Sequence, residues 1–142
     1  MERTLAIIKP DAVSSGVIGE IIHRAEEEGF TIRALKLTKL TKAQAEAFYS
    51  VHKGKPFFER LTKFMASGPV VVMVLEGEDA IKRWREIIGS TDPQEAAEGT
   101  IRRKFGTNVT MNAVHGSDSK DTAEFEIKFF FSEMELLNGA GN

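Results

Sequence analysis

Val70-Val71-Val72-Met73-Val74-Leu75 is the longest apolar run in the sequence, and it predicts a buried central strand. The run is far too short to cross a bilayer. Gly68-Pro69 precedes it and Gly77 follows it, so turn signals bound the strand at both ends. A second strand is predicted at Thr4–Ile8, and Pro10 ends it because proline cannot donate to a sheet ladder.

The order of the remaining segments predicts an α+β fold. Between the two strands, the sequence predicts a helix from Ile18 through Ala25 that Gly29 ends, a strand at Phe30–Leu40, a helix that begins at a Thr41–Gln44 capping box, and a helix with Pro56 in its first turn; the third of these elements carries on one face Ala45, Phe48, Tyr49 and His52. After the central strand, it predicts a helix, an irregular loop at 90–111, a strand ending at His115, and a last helix. The first of these two helices has an inward face of Ala80, Ile81, Trp84, Ile87 and Ile88, and the last helix buries Ala123, Ile127, Phe130, Phe131 and Met134. With the two short helices set aside, this order is βαββαβ, the ferredoxin-like arrangement. It predicts a four-stranded antiparallel sheet with helices packed on one face.

Length and composition limit the classes of protein that the chain can belong to. The 142 residues suit a single domain spanning 1–142, with Asn138–Asn142 expected to be a mobile tail. A net charge of -2 and a pI near 6.0 argue against a general binder of nucleic acids or membranes. The absence of cysteine excludes disulfides, thiol nucleophiles and cysteine-type zinc sites, and it fits a cytoplasmic location. The apolar run after Met1-Glu2-Arg3 is too short for a signal-peptide core.

The stretch Asn112-Ala113-Val114-His115-Gly116-Ser117-Asp118-Ser119 carries the strongest functional signal. It predicts a strand that ends at His115, a tight turn at Gly116 and a helix capped by Ser119 or Asp121. Orphan N–H groups and the positive end of the helix dipole favour an anion beside such an imidazole. A lone histidine, however, is more often a structurally satisfied side chain at a strand end.

Other side chains favour phosphate chemistry over the alternatives. The sequence lacks a P-loop, a dinucleotide-binding glycine motif, a zinc-protease helix and a nucleophile elbow. Lys9 at a strand end, Arg85 near a helix end, and Thr91 with Arg102 in the long loop would meet near His115 in this topology. Cations around a neutral imidazole suit transfer of a phosphoryl group through a phosphohistidine, and Glu126 could reach back from the last helix to orient the ring.

The chain resembles the nucleoside diphosphate kinase family over nearly all of its length, to about residue 134. The stretches that carry the resemblance are Ile8-Lys9-Pro10-Asp11, Tyr49 with His52, Pro56-Phe57-Phe58, Ser67-Gly68-Pro69-Val70, Gly99-Thr100-Ile101-Arg102 and Asn112 through Ser119. The resemblance implies a ping-pong reaction, in which a nucleoside triphosphate gives its γ-phosphoryl group to His115 and a nucleoside diphosphate then accepts it.

The resemblance also implies a role for each matching residue. Lys9 and Asn112 would contact the sugar hydroxyl. Lys9 would also contact the phosphoryl group that is transferred. Tyr49 would lie beside the active ring, with Ser117 and Glu126 fixing the polar network. Gly116 would offer its carbonyl to one ring nitrogen of His115. The remaining nucleotide contacts would be His52 near the α-phosphate, Phe57 stacked on the base, Leu61 and Val109 completing a loose clamp, and Arg85, Thr91 and Arg102 on the distal phosphates.

Cofactor and partners follow from the same resemblance. Mg²⁺ would accompany the nucleotide and be held mainly by phosphate oxygens and water rather than by a protein cage. The partners would be nucleoside triphosphates and diphosphates, and identical subunits in a tetramer or a hexamer built from dimers, with no membrane and no specific nucleic acid.

Three positions depart from the family pattern. Trp84 stands where a small or polar residue is commoner, and its bulk could shift Arg85 or change a surface contact. Lys104 replaces a frequent acid, which puts a loop salt bridge in doubt, and Glu98 replaces a proline of longer members.

Three alternatives stay open at this point. A non-enzymatic nucleotide-binding or assembly module could use the same fold. The phosphohistidine could pass its group to a protein. Arg102-Arg103-Lys104 could bind nucleic acid, although three basic residues in an acidic chain are a weak signal.

Overall fold

The computed structural model describes residues 1–137, and its frame is a four-stranded antiparallel sheet. The strands are β1 (Glu2–Ile8), β2 (Thr31–Thr38), β3 (Val70–Gly77) and β4 (Val114–Gly116), in the spatial order β2-β3-β1-β4. This order is the ferredoxin-like arrangement, so the predicted fold class is confirmed. The predicted tail, 138–142, lies outside the described residues.

Seven α-helices join and cover the strands within residues 1–137. They are α1 (Pro10–Ser14), α2 (Ile18–Glu27), α3 (Lys42–Phe48), α4 (Phe58–Met65), α5 (Ala80–Ile88), α6 (Ile101–Phe105) and α7 (Lys120–Phe130). Short 3₁₀ turns follow at Ser50–His52 and Glu133–Glu135. None of these helices is both long and apolar enough to span a membrane.

Helices cover both faces of the sheet, so the prediction that they pack on one face is wrong. Strand β1 shows why, because its consecutive side chains point to opposite faces and all of those in its second half are buried. Leu5 and Ile7 join an apolar cluster with Phe48 of α3, whereas Ala6 and Ile8 join a second cluster with Trp84 of α5. The two central strands are therefore buried on both sides.

Two short helices were not apparent from the sequence. Helix α1 begins at Pro10, directly after β1, because the fixed φ of proline suits the first helical position. Helix α6 interrupts the predicted irregular loop at 90–111, and the Thr100 hydroxyl caps it by accepting the Arg103 N–H. Five residues are too few to produce a clear helical period in the sequence.

Several predicted boundaries are wrong for local reasons. Helix α3 has the predicted Thr41 capping box but ends at Phe48, so Tyr49 and His52 lie beyond it rather than on its face. Pro56 lies two residues before α4 instead of in its first turn. Met134 follows the end of α7 and is 93% exposed, so it is not part of the buried face.

Trp84 is fully buried beneath the sheet, as its place on the predicted inward face of the helix indicates, so its bulk does not change a surface contact. Its ring meets Phe30 edge-on at 5.9 Å, and its indole N–H donates to the His115 carbonyl at 3.3 Å. The side chain also lies directly under Gly116, where a Cβ would come within 2.7 Å of the indole Cδ1. Trp84 thus supports the strand that carries the histidine.

Replacing Trp84 with alanine is expected to lower the free energy of unfolding by about 3–5 kcal/mol, because the truncation leaves a cavity under β4. Denaturant unfolding measures the change. Met134→Ala, at the exposed position near the end of α7, is the control and is expected to stay within about 0.5 kcal/mol of the wild type. Equal stability of the two variants would contradict the assigned packing.

Candidate active site

Pairing of β1 with β4 brings the candidate residues together. The register places Ile7 opposite His115 and Ile8 opposite Val114, so Lys9 leaves β1 close to the histidine. Beside them opens a cleft of about 360 Å³. It is lined by Lys9, Tyr49, His52, Phe57, Leu61, Arg85, Thr91, Arg102, Val109, Thr110, Asn112, His115, Gly116 and Asp118. All nine of the residues expected to contact a nucleotide thus border one cavity.

His115 is oriented by a carboxylate. Its Nε2 lies 2.8 Å from Oε1 of Glu126, on α7. The expectation that Glu126 could reach back to orient the ring is thus confirmed. An ionised carboxylate can accept hydrogen bonds but cannot donate them. The pair therefore favours the tautomer of His115 with the proton on Nε2 and the lone pair on Nδ1. The imidazole is therefore arranged to act as a nucleophile through Nδ1.

Ser117 extends this polar network to the centre of the sheet. Its hydroxyl donates to the same Glu126 Oε1 at 2.8 Å and accepts the Leu5 N–H of β1 at 3.1 Å. Because Ser117 is fully buried, these bonds satisfy its hydroxyl away from water. The carboxylate that orients His115 is thus anchored to the strand opposite it.

Two aromatic side chains confine the imidazole. The Phe48 ring lies 5.5 Å from it at 67°, and the Tyr49 ring 6.2 Å from it at 83°. The Tyr49 hydroxyl is buried without a hydrogen-bond partner among the described residues, and burial raises the pKa of that phenol. A protonated hydroxyl beside the cleft is therefore left free to donate to a ligand.

Lys9 is buried on the floor of the cleft, and its ammonium donates to Asn112 Oδ1 at 2.7 Å. The Asn112 amide donates in turn to the carbonyls of Thr91 and Val109, at 2.9 and 3.2 Å. Burial, with a smaller contribution from Arg102, lowers the pKa of Lys9 to about 7. The nearby carboxylate of Asp11 raises the pKa of Lys9 in part, but it does not offset these two effects.

Arg102 lies in α6, not in an irregular loop, and its guanidinium spans two elements. It donates to the Gly89 carbonyl at 3.0 Å and to the Val114 carbonyl at 2.9 Å. Its Nε is buried and has no hydrogen-bond partner within residues 1–137, and burial together with Arg85 lowers the pKa of Arg102 to about 10. Arg102 therefore stays cationic at neutral pH and keeps one donor unused.

Arg85 and Asp118 form an ion pair at the rim of the cleft. Asp118 and Thr110 line the cavity but were not among the residues expected to do so. Asp118 lies inside the quoted His115 stretch, so its place in that stretch was the available signal. The departure at Lys104 lies away from the cleft, where its ammonium pairs with Glu20 at 3.2 Å.

The mouth of the cleft is apolar. Phe57, the first of two adjacent phenylalanines, is 40% exposed. Val109 is exposed and Leu61 is half-buried at the same opening. His52 contacts the Phe57 ring at a centroid distance of 5.2 Å, and burial lowers the pKa of His52, with Lys55 contributing. A flat apolar group entering the cleft would meet an aromatic face.

Within residues 1–137, no three His, Asp or Glu side chains are grouped so that they could hold a metal ion. In the part of the chain that the structure describes, Asp118 is the one carboxylate that lines the cleft, and it is paired with Arg85. The donor set is therefore suited to a polyphosphate and to any cation that the polyphosphate itself carries.

Comparison with known proteins agrees with this chemistry. The family model described as nucleoside diphosphate kinase matches residues 2–136. The chain is 60% identical to a nucleoside diphosphate kinase of Desulfosudis oleivorans over 137 residues, which cover 96% of this chain and 99% of the relative. It is 58% identical to one of Chlamydia abortus over 140 residues, which cover 99% of each chain.

Solved structures give the same result. The nucleoside diphosphate kinase of Aquifex aeolicus superposes with a TM-score of 0.94 at 54% identity, covering 95% of this chain and 98% of that one. The Halobacterium salinarum nucleoside diphosphate kinase, solved in complex with CDP, superposes with a TM-score of 0.94 at 41% identity, covering 99% and 94%. These similarities do not favour the non-enzymatic module. The chain belongs to the nucleoside diphosphate kinase family and is an enzyme that transfers a phosphoryl group between nucleotides.

Proposed function

We propose that His115 carries the phosphoryl group in a ping-pong reaction. Nδ1 attacks the γ-phosphorus of a nucleoside triphosphate such as ATP, an N–P bond forms, the bond to the β,γ-bridging oxygen breaks, and the diphosphate leaves. A β-phosphate oxygen of a second nucleoside diphosphate then attacks the same phosphorus, and the N–P bond breaks. The observation that carries the proposal is the 2.8 Å contact between Nε2 and Glu126 on a ring that lines a cationic cleft.

The charged residues would stabilise the phosphates during transfer. Phosphoryl transfer depends mainly on positioning and on neutralising the equatorial oxygens. Arg102, with its unused Nε–H, and Arg85 are the donors for the distal phosphates, and Thr91 lies beside them. His52 would contact the α-phosphate. Tyr49 would donate its free hydroxyl close to the reacting ring.

Lys9 and Asn112 would act as one unit at the floor of the cleft. Their hydrogen bond leaves the remaining ammonium protons of Lys9 available for the transferring group. The Asn112 amide would exchange part of its bonding for the sugar hydroxyl. Ser117 and Glu126 would not touch the nucleotide; they would keep the proton on Nε2 of His115.

Mg²⁺ would enter with the nucleotide, and it would neutralise phosphate charge without a protein cage. The cationic lining and the lack of a three-ligand cluster among residues 1–137 support this arrangement.

Assembly into a homo-oligomer and a cytoplasmic location are also part of the proposal. Strand β2 is an edge strand, and Leu35 and Leu37 on it are exposed. An edge strand with exposed leucines is suited to pairing with another copy of the chain. This supports dimers as the unit of a tetramer or a hexamer.

The central test of the proposal is covalent labelling. Incubation with γ-labelled ATP and Mg²⁺, without acceptor, is expected to leave acid-labile label on the protein, and added GDP is expected to remove it. His115→Ala should take up no label. His23→Ala, which alters an exposed histidine on α2, is the matched control and should label fully. Label that persists in His115→Ala would refute the assigned nucleophile.

Phe57→Ala is expected to weaken nucleotide binding by about 5- to 150-fold, because loss of a base–aromatic stack removes roughly 1–3 kcal/mol. Stacking does not depend on the base edge, so the loss should be similar for ADP and GDP. Calorimetric titration measures both affinities. Phe125→Ala, another exposed phenylalanine but on α7, should bind normally. A loss confined to one base would indicate recognition of the base edge instead.

Nucleotide binding is expected to weaken as pH rises above about 7. In the free enzyme the pKa of Lys9 is lowered to about 7, and a bound polyphosphate would raise it, so binding takes up a proton above that pH. Titrations of ADP between pH 7 and 9, in buffers of different ionisation enthalpy, measure this uptake. Lys9→Met should abolish it, whereas Lys63→Met on α4 should not. Equal uptake by Lys9→Met and the wild type would exclude Lys9 as its source.

A further inference from the structure

Ala113, two residues before His115, has an unusual backbone conformation. Its φ is +74°, in a region that L-residues other than glycine rarely adopt, and its side chain is fully buried. The Val114 N–H donates to the Asn112 carbonyl at 2.9 Å, which closes a three-residue γ-turn around Ala113. The γ-turn with a positive central φ is the strained form. Surrounding contacts must therefore stabilise this turn.

Both backbone polar groups of Ala113 are bonded to the segment that follows β1. The Ala113 N–H donates to Oδ2 of Asp11 at 3.0 Å, and the Ala113 carbonyl accepts the Lys9 N–H at 2.8 Å. The bond between the Lys9 N–H and the Ala113 carbonyl continues the β1–β4 ladder. The bond of the Ala113 N–H instead depends on the side chain of Asp11, a residue that does not line the cleft.

The turn determines where three functional groups lie. Immediately before it, Asn112 bonds the Lys9 ammonium. Immediately after it, the Val114 carbonyl accepts the Arg102 guanidinium, and His115 follows. If Ala113 relaxed to negative φ, the direction of the chain would change between Asn112 and Val114, and these contacts could not all persist.

The carboxylate of Asp11 is suited to this role because it is partly buried at the first turn of α1. Burial raises the pKa of Asp11, and the Ala113 N–H is the foremost interaction opposing that rise. A hydrogen bond to a charged acceptor is stronger than one between neutral groups.

We infer that Asp11 is a positioning residue for phosphoryl transfer, which acts by holding the strained turn at Ala113 and thereby aligning His115 with Asn112 and Lys9. The inference rests on the proposed role of His115 and assigns a function to a residue outside the cleft.

Two substitutions separate holding the turn from other roles of the carboxylate. Asp11→Ala removes the acceptor and is expected to slow phosphohistidine formation from ATP at least tenfold in single-turnover measurements. Asp11→Asn keeps an acceptor oxygen and should retain most of the rate. The matched control is Asp121→Ala, which removes an acid from the same position, the second residue, of helix α7 and should leave the rate unchanged.

Glycine at position 113 supplies the decisive comparison. Glycine adopts positive φ without a Cβ clash, so the turn no longer depends on the Asp11 carboxylate. The double variant Asp11→Ala/Ala113→Gly is therefore expected to recover to within about threefold of Ala113→Gly alone. If Asp11→Ala alone failed to fold, and the double variant with Ala113→Gly folded, that result would support the same conclusion.

The backbone itself provides a readout that is independent of turnover. The NMR signals of the Ala113 amide and Cα should shift in Asp11→Ala and stay close to wild type in Asp11→Asn. Full activity of Asp11→Ala, or a defect that Ala113→Gly leaves unchanged, would overturn the inference. Absence of label on wild-type His115 would instead refute the proposed function, while the NMR comparison would still decide whether Asp11 holds the turn.

Discussion

The pairing of β4 with β1 is the constraint on which the site depends. Strand β4 has only three residues, too few to hold its position by ladder hydrogen bonds alone. Three side chains from elsewhere in the fold secure it: the Trp84 indole donates to the His115 carbonyl, the Arg102 guanidinium donates to the Val114 carbonyl, and the Asp11 carboxylate accepts the Ala113 N–H. Directly after β4, the Ser117 hydroxyl accepts the Leu5 N–H of β1. The nucleophile is thus held by the core and not by a loop.

The electrostatics of the cleft are incomplete without an anion. Lys9 and Arg102 are buried beside each other, and for both the effect of burial is to lower the pKa. Burying like charges is unfavourable unless a partner compensates them. A polyphosphate would supply that partner, and it would also engage the Arg102 Nε–H and the Tyr49 hydroxyl, which have no bonds among the described residues. The buried cations and the unbonded donors, which are unfavourable on their own, therefore favour binding of a polyphosphate.

The features of this fold that its sequence does not reveal share a physical origin. Periodicity identifies elements long enough to show a repeat, so β3, α2 and α5 were found, while the five-residue helices α1 and α6 were not. The second layer of helices was missed because the prediction relied on the order of the elements, although the unbroken apolar runs of β1 and β3 are typical of strands buried on both faces. The sequence indicated that Glu126 could orient the His115 ring, but not which ring nitrogen it contacts, because that depends on how α7 packs against β1.

The sequence by itself determined the order of the elements, the ferredoxin-like class, the family, and the residue types around the histidine. These depend on local patterns and on a motif, which are properties of the chain in one dimension. Only the tertiary structure decided which ring nitrogen Glu126 engages, that Trp84 supports the strand at His115 and Gly116, and that Ala113 adopts a strained turn. The shift in the pKa of Lys9 is likewise tertiary, because it arises from burial and from Arg102, 93 positions along the chain. Such properties come from residues far apart in sequence, so no local pattern records them.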